Sequence, residues 1–74
     1  MPTVTLSAPA IHCDHCRQSI ERAVGPLDGV LDVDVDVEAR TVTVSYEDPA
    51  NVGLVSAAMA EEGFDVAAIV AEKG

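Results

Sequence analysis

Three stretches of the chain alternate between apolar and polar residues over most of their length. They cover residues 3–8, 30–37 and 40–46. Because side chains in a strand point alternately to its two faces, this alternation predicts three half-buried β-strands. A fourth stretch, residues 65–71, is rich in Val, Ile and Ala and predicts a last strand.

Helical periodicity appears in the two intervals between those strands. From Asp14 onward, apolar residues fall on one helical face and charged residues on the other, until Gly25-Pro26 stops the helix. Asp14 is expected either as the N-cap or as an acid in the first turn. A second helix is predicted after the Asp-Pro pair at 48–49, with its end near Gly63.

The second and third strands predict a hairpin. If the numbers of paired residues sum to 77, the apolar faces of both strands match, in the predicted pairs Val35–Val42, Val33–Val44 and Leu31–Tyr46. The aspartates at 32, 34 and 36 then face Thr or Ser, which avoids like-charge pairs and leaves a charged face that opposes edge-to-edge pairing of sheets or docks a partner.

The order of elements predicts an α+β protein with the ferredoxin-like βαββαβ arrangement. Its four-stranded antiparallel sheet is expected to carry both helices on one face, because the alternating strands have one apolar side each. No linker or low-complexity tract interrupts the chain, so residues 1–74 are expected to form a single domain.

Composition and charge narrow the classes of function. Four Lys and Arg against thirteen Asp and Glu give a net charge of −9, which argues against nucleic acid or an anionic membrane as a partner and favours a partner with a basic face. No apolar run approaches the ~20 residues of a membrane span, and the N-terminus lacks the features of a signal peptide. We therefore expect a cytoplasmic protein with reduced thiols and no membrane insertion.

The chemically reactive residues are concentrated between positions 12 and 16, where the first strand passes into the first helix. Cys13 in the loop and Cys16 in the first helical turn can both face one ion, and the helix N-terminus favours their thiolate forms. Arg17 would add to this effect if its side chain turned toward the site. Two thiolates suit a soft ion such as Cu(I), whereas structural Zn(II) usually has four ligands.

His12 directly precedes Cys13, and His15 lies between the two cysteines, so nitrogen ligands for other metals are also present in this segment. Each is expected to be solvent-exposed, yet an imidazole that joined the two thiolates would suit Zn(II), Cd(II) or Co(II). Hg(II) shares the preference for two thiolates. His12 and His15 are therefore possible additional ligands, beside Cys13 and Cys16.

Taken together, these features resemble a heavy-metal-associated domain, the family of small bacterial copper chaperones and of the N-terminal domains of copper-transporting P-type ATPases. The family signature M-x-C-x-x-C is matched by residues 11–16, and the resemblance extends from Thr3 to about Ala71. It implies Cys13 and Cys16 as metal ligands. Two departures are Ile11 at the position of the Met and Phe64 where bacterial chaperones often carry Tyr.

The function expected from this resemblance is metal carriage without enzymatic activity. The chain would bind Cu(I) and pass it to a metal-transporting P-type ATPase, or to that transporter's metal-binding domain, by thiolate exchange. Two exposed loops can share one ion, so a metal-bridged homodimer is a further expectation. The alternatives are a Zn(II), Cd(II) or Hg(II) binder with a His ligand and, less favoured, a CxxC thiol oxidoreductase.

Overall fold

The computed structural model describes residues 2–73, which form six elements. In chain order these are β1 Thr3–Ser7, α1 Asp14–Val24, β2 Val30–Asp36, β3 Thr41–Tyr46, α2 Val52–Glu61 and β4 Ala68–Lys73. The strands form one antiparallel sheet in the order β2-β3-β1-β4. The predicted ferredoxin-like βαββαβ fold is therefore confirmed.

The core lies between one face of the sheet and the two helices. Strands β1 and β3 turn alternate side chains inward, and α1 and α2 contribute from the other side; the fully buried members are Val4, Leu6, Val42, Val44, Ile20, Val24, Val55 and Met59. The opposite face of the sheet is polar, and the hydroxyl groups of Thr5 and Thr43 lie 3.1 Å apart across β1 and β3. Both helices thus lie on one face, as the alternation predicts.

The predicted hairpin register is right for most of β2 and wrong at its start. Val33 pairs with Val44 as expected, but Tyr46 pairs with Val30 instead of Leu31. Leu31 is the extra residue of a β-bulge and is 45% exposed. The physical reason lies at the turn before β2, where the Gly29 carbonyl accepts a 2.8 Å hydrogen bond from the Glu47 amide and so fixes Val30 opposite Tyr46.

Helix α1 begins at Asp14 as predicted, and helix α2 begins after the Asp-Pro pair at 48–49 as predicted. Cys13, with extended backbone, is the N-cap of α1, so Asp14 is the first-turn acid and not the cap. Helix α2 begins at Val52 because the Asn51 side chain caps it by accepting a 2.9 Å hydrogen bond from the Leu54 amide. The sequence prediction missed this cap.

The two edge strands of the sheet differ in character. On β2 the side chains of Asp32, Asp34 and Asp36 are exposed, as predicted for a charged edge. Strand β4 begins at Ala68, three positions later than predicted, and all its side chains are exposed. Within residues 2–73, neither helix has the length and apolar character needed to cross a membrane.

Candidate metal site

A short buried anchor holds the loop that carries the cysteines. Ile11 is fully buried, and its amide donates a 3.0 Å hydrogen bond to the carbonyl of Ala8, which is itself fully buried. The loop therefore enters α1 from a fixed position, with Cys13 as the N-cap and Cys16 as the third helical residue. Ile11 occupies the core position under the loop, where an apolar side chain of a size similar to the family's Met can take its place.

The two cysteines meet at the N-terminus of α1. Their Sγ atoms lie 3.6 Å apart, and both thiols are free. Cys13 is partly exposed, whereas Cys16 is buried, with only 6% of the residue exposed. The 13–16 spacing thus brings the sulfurs together at one point, as predicted, and their role as metal ligands stays a prediction.

The local backbone favours the thiolate form of Cys13. Its pKa is lowered, chiefly because the backbone N–H of Cys16 donates a hydrogen bond to its sulfur, with help from the Cys16 side chain and the His15 backbone; desolvation and the Asp14 carboxylate oppose this shift. Arg17 does not assist, because its guanidinium lies 3.6 Å from Asp14 and 3.4 Å from Glu21.

The two histidines have different surroundings although both are exposed. His12 Nδ1 lies 2.8 Å from the Ala10 carbonyl oxygen and 3.6 Å from Cys16 Sγ. One nitrogen of His12 and the sulfurs of Cys13 and Cys16 all lie within 4.8 Å of one another. His15 does not belong to this group. The sequence could not separate the two histidines, because the difference comes from the turn of the loop at Ala10.

Phe64, the second departure from the family pattern, is a core residue. Its side chain is 9% exposed, and its amide donates a 2.9 Å hydrogen bond to the Met59 carbonyl just after α2. It belongs to the same apolar cluster as Ile11 and Cys16. Phe64 therefore packs in the core beneath the loop that carries the cysteines.

A βαββαβ fold with a pair of thiols at the start of its first helix defines a class of small metal-associated domains. The model of the heavy-metal-associated domain matches residues 5–65, and the chain belongs to this family. That assignment agrees with the prediction that the protein is a carrier and not an enzyme.

Three relatives illustrate the similarity. The copper chaperone CopZ of Bacillus subtilis is 40% identical over 68 residues, which cover 90% of this chain and 99% of the relative. A COP-associated protein of Helicobacter pylori strain J99 is 38% identical over 63 residues, covering 85% and 96% respectively. A solved CopZ metallochaperone superposes with a TM-score of 0.83 at 32% identity, over 86% of this chain and 97% of that one.

Proposed function

We propose that this protein binds one Cu(I) ion between Cys13 and Cys16 and hands it to thiolates of a partner protein. The observation that carries the proposal is the pair of free sulfurs 3.6 Å apart at the N-terminus of α1. A soft ion prefers thiolate ligands, and the lowered pKa of Cys13 increases the fraction of thiolate available to it.

The relatives support copper over other ions. CopZ of Bacillus subtilis is named a copper chaperone and aligns over 99% of its own length with this chain. Zn(II), Cd(II) and Hg(II) are the alternative cargoes, and they have no comparable support.

We also propose that residues 1–74 act as one domain.

The handover is proposed to proceed by ligand exchange. A partner thiolate adds to the bound ion, and a bond from the ion to Cys13 or Cys16 then breaks, so that the ion is never free and no electron is transferred. Cys13 is partly exposed and gives the partner access. We propose as partner a metal-transporting P-type ATPase or its metal-binding domain, with a basic docking face that complements the −9 charge of this chain.

An anaerobic competition titration tests the cargo. Reduced protein is titrated with Cu(I) and separately with Zn(II), each against a chelator of known affinity. We expect one Cu(I) held per chain and Zn(II) lost to the chelator. The double variant Cys13→Ser/Cys16→Ser is the control and should hold neither ion. Tight Zn(II) with weak Cu(I) would contradict the proposal.

Transfer is tested separately from binding. The Cu(I)-loaded chain is mixed with the isolated metal-binding domain of a copper-transporting P-type ATPase, and the two proteins are separated by ion exchange. We expect copper to redistribute between them within the mixing time, even with a chelator present that scavenges free Cu(I). Copper that appears only on the chelator would mean that the ion is released and not handed over.

A further inference from the structure

We propose that His12 is a latent third ligand of the Cys13–Cys16 site, and that it keeps the loaded protein monomeric by occupying the position that an incoming thiolate needs. The inference rests on the proposed function, because it concerns the same ion. It concerns the control of transfer, which the two cysteines alone do not explain.

The first observation is proximity. His12 Nδ1 lies 3.6 Å from Cys16 Sγ, and its ligating nitrogen lies within 4.8 Å of both sulfurs. Metal–nitrogen and metal–sulfur bonds are about 2.0–2.3 Å long, so ligands of one ion lie roughly 3–4.5 Å apart. The imidazole is therefore close enough to join the site after a small rotation of its side chain.

The second observation is the hydrogen bond that keeps the His12 ring in its present orientation. His12 Nδ1 is 2.8 Å from the Ala10 carbonyl oxygen, which can only accept a hydrogen bond, so Nδ1 carries a proton and donates it there. A protonated Nδ1 has no lone pair for a metal. To bind through Nδ1, the ring must leave Ala10 and its proton must pass to Nε2 through solvent, to which the exposed His12 has access. The hydrogen bond to Ala10 and the position of one ring proton thus distinguish the resting form from the ligating form.

The third observation is the separation of the sulfurs. With metal–sulfur bonds of about 2.3 Å, sulfurs 3.6 Å apart subtend an angle of roughly 100° at a shared ion. A linear two-coordinate ion would need sulfurs about 4.6 Å apart with the same bond length. The sulfur pair as it stands therefore suits a bent site, which leaves one side of the ion open to a third ligand.

His15 provides an internal comparison. It is the same residue type, it is exposed like His12, and it lies three positions further along the same segment. Its nitrogens are not in the group formed by His12, Cys13 and Cys16. Both histidines place an exposed imidazole near the site, but only the imidazole of His12 is close enough to the two sulfurs to bind the same ion.

The consequence concerns exchange of ligands. A thiolate from a partner, or from a second copy of this chain, must displace His12: a copper–sulfur bond forms, the copper–nitrogen bond breaks, and the imidazole returns to Ala10. An intramolecular ligand competes at high effective concentration with a second copy. The loaded chain should then stay monomeric, because a second copy carries the same −9 charge, and only a partner with a complementary basic docking face should hold its thiolates at the ion long enough to complete the exchange. This differs from the metal-bridged homodimer that the sequence alone leads us to expect.

The test compares wild type with three variants, each loaded with one Cu(I). His12→Ala removes the imidazole, and His12→Asn keeps a side-chain donor for the Ala10 carbonyl while removing the strong ligand. His15→Ala is the matched control. Copper K-edge X-ray absorption reports the ligands, and sedimentation velocity reports the oligomeric state.

We expect one nitrogen and two sulfurs around copper, and a monomer, in wild type and His15→Ala. In both His12 variants we expect sulfur ligands only, a shift toward dimer, and Cu(I) affinity lower by about tenfold. Wild type with sulfur ligands only, or the same dimerisation in His15→Ala, would overturn the role of His12 while leaving copper binding intact. Wild type that holds no Cu(I) against the chelator would overturn the proposed function and this inference together.

Discussion

The Sγ atoms of Cys13 and Cys16 lie 3.6 Å apart, but the two residues differ in burial: Cys13 is partly exposed, whereas Cys16 is buried and only 6% exposed. The two thiols therefore both lie at the N-terminus of α1 and differ in access to solvent. Their substitutions should have the same effect on copper and different effects on stability.

Cys13→Ser and Cys16→Ser should each remove most Cu(I) binding, because a single thiolate cannot hold the ion against a competing chelator. Cys16→Ser should also lower the free energy of unfolding by about 1–3 kcal/mol, because it places a hydroxyl among apolar core residues. Cys13→Ser, at a partly exposed position, should change it by less than about 0.5 kcal/mol. Chelator competition and urea unfolding check the two effects, and equal destabilisation by both variants would contradict the difference in burial.

The lowered pKa of Cys13 should be visible in its alkylation rate. Because the Cys16 amide hydrogen bond stabilises the thiolate, the rate for Cys13 should rise at a lower pH than for an ordinary thiol. Mass spectrometry of iodoacetamide-treated protein across pH, with the urea-unfolded chain as control, measures the shift.

The same pKa has a consequence for stability. Because folding lowers the pKa of Cys13, this group stabilises the native state fully above the unfolded pKa, and the stabilisation is lost as pH falls through the folded pKa. The free energy of unfolding of the reduced, metal-free protein should therefore increase as the pH rises from the folded pKa of Cys13 to its unfolded pKa. Equal alkylation profiles for folded and unfolded chain would contradict both statements.

Two glycines with left-handed backbone should respond differently to alanine. Gly29 has φ +93°, and an added Cβ would lie 2.7 Å from the Ala50 nitrogen and closer still to the Glu47 carbonyl oxygen. Gly63 has φ +87°, but an added Cβ would meet nothing within 4 Å. Gly63→Ala should cost about 1–2 kcal/mol from backbone strain alone, and Gly29→Ala clearly more. Urea unfolding of both variants compares them, and a similar loss would mean that the turn at Gly29 relaxes.

Two substitutions of Ile11 should show whether the loop that carries the cysteines depends on the volume of this side chain or on isoleucine itself. Ile11→Met restores the family residue and should change the free energy of unfolding by less than about 1.5 kcal/mol, with Cu(I) retained. Ile11→Ala should cost about 2–5 kcal/mol, because the fully buried side chain leaves a cavity. Thermal unfolding and the chelator titration measure both effects. Loss of Cu(I) in Ile11→Met would show that the loop depends on isoleucine itself.

The sequence was informative where a single local rule decided the structure. Alternation in 30–37 and 40–46 predicted the pairing of Val33 with Val44, and the spacing of Cys13 and Cys16 predicted that their sulfurs meet. It failed where a distant backbone contact decided. The hydrogen bond from the Glu47 amide to Gly29 displaces Leu31 from the ladder, although Leu31 fits the alternation.

The same limit applies to the histidines of the site. His12 and His15 are one residue type in one short segment, and no periodicity separates them. His12 Nδ1 lies 2.8 Å from the carbonyl oxygen of Ala10 and 3.6 Å from Cys16 Sγ, so the path of the loop backbone at Ala10 sets the position of the ring. Which histidine lies beside the sulfurs depends on the conformation of the loop, so it can be deduced from the structure but not from the sequence.

The bulge at Leu31 also bears on how the length of this chain can change during evolution. Val30 and Asp32 already pair with the consecutive residues Tyr46 and Ser45, so the ladder would be regular without Leu31. Deleting Leu31 should leave every inward side chain of β2 inward, whereas deleting Val33 should invert the faces on one side of the cut. We therefore expect the edge strand to tolerate the loss of one residue at this point while the cysteine loop, at the other end of α1, keeps its position. A folded, copper-binding chain without Leu31 would establish this tolerance, and an unfolded one would show that the bulge is required.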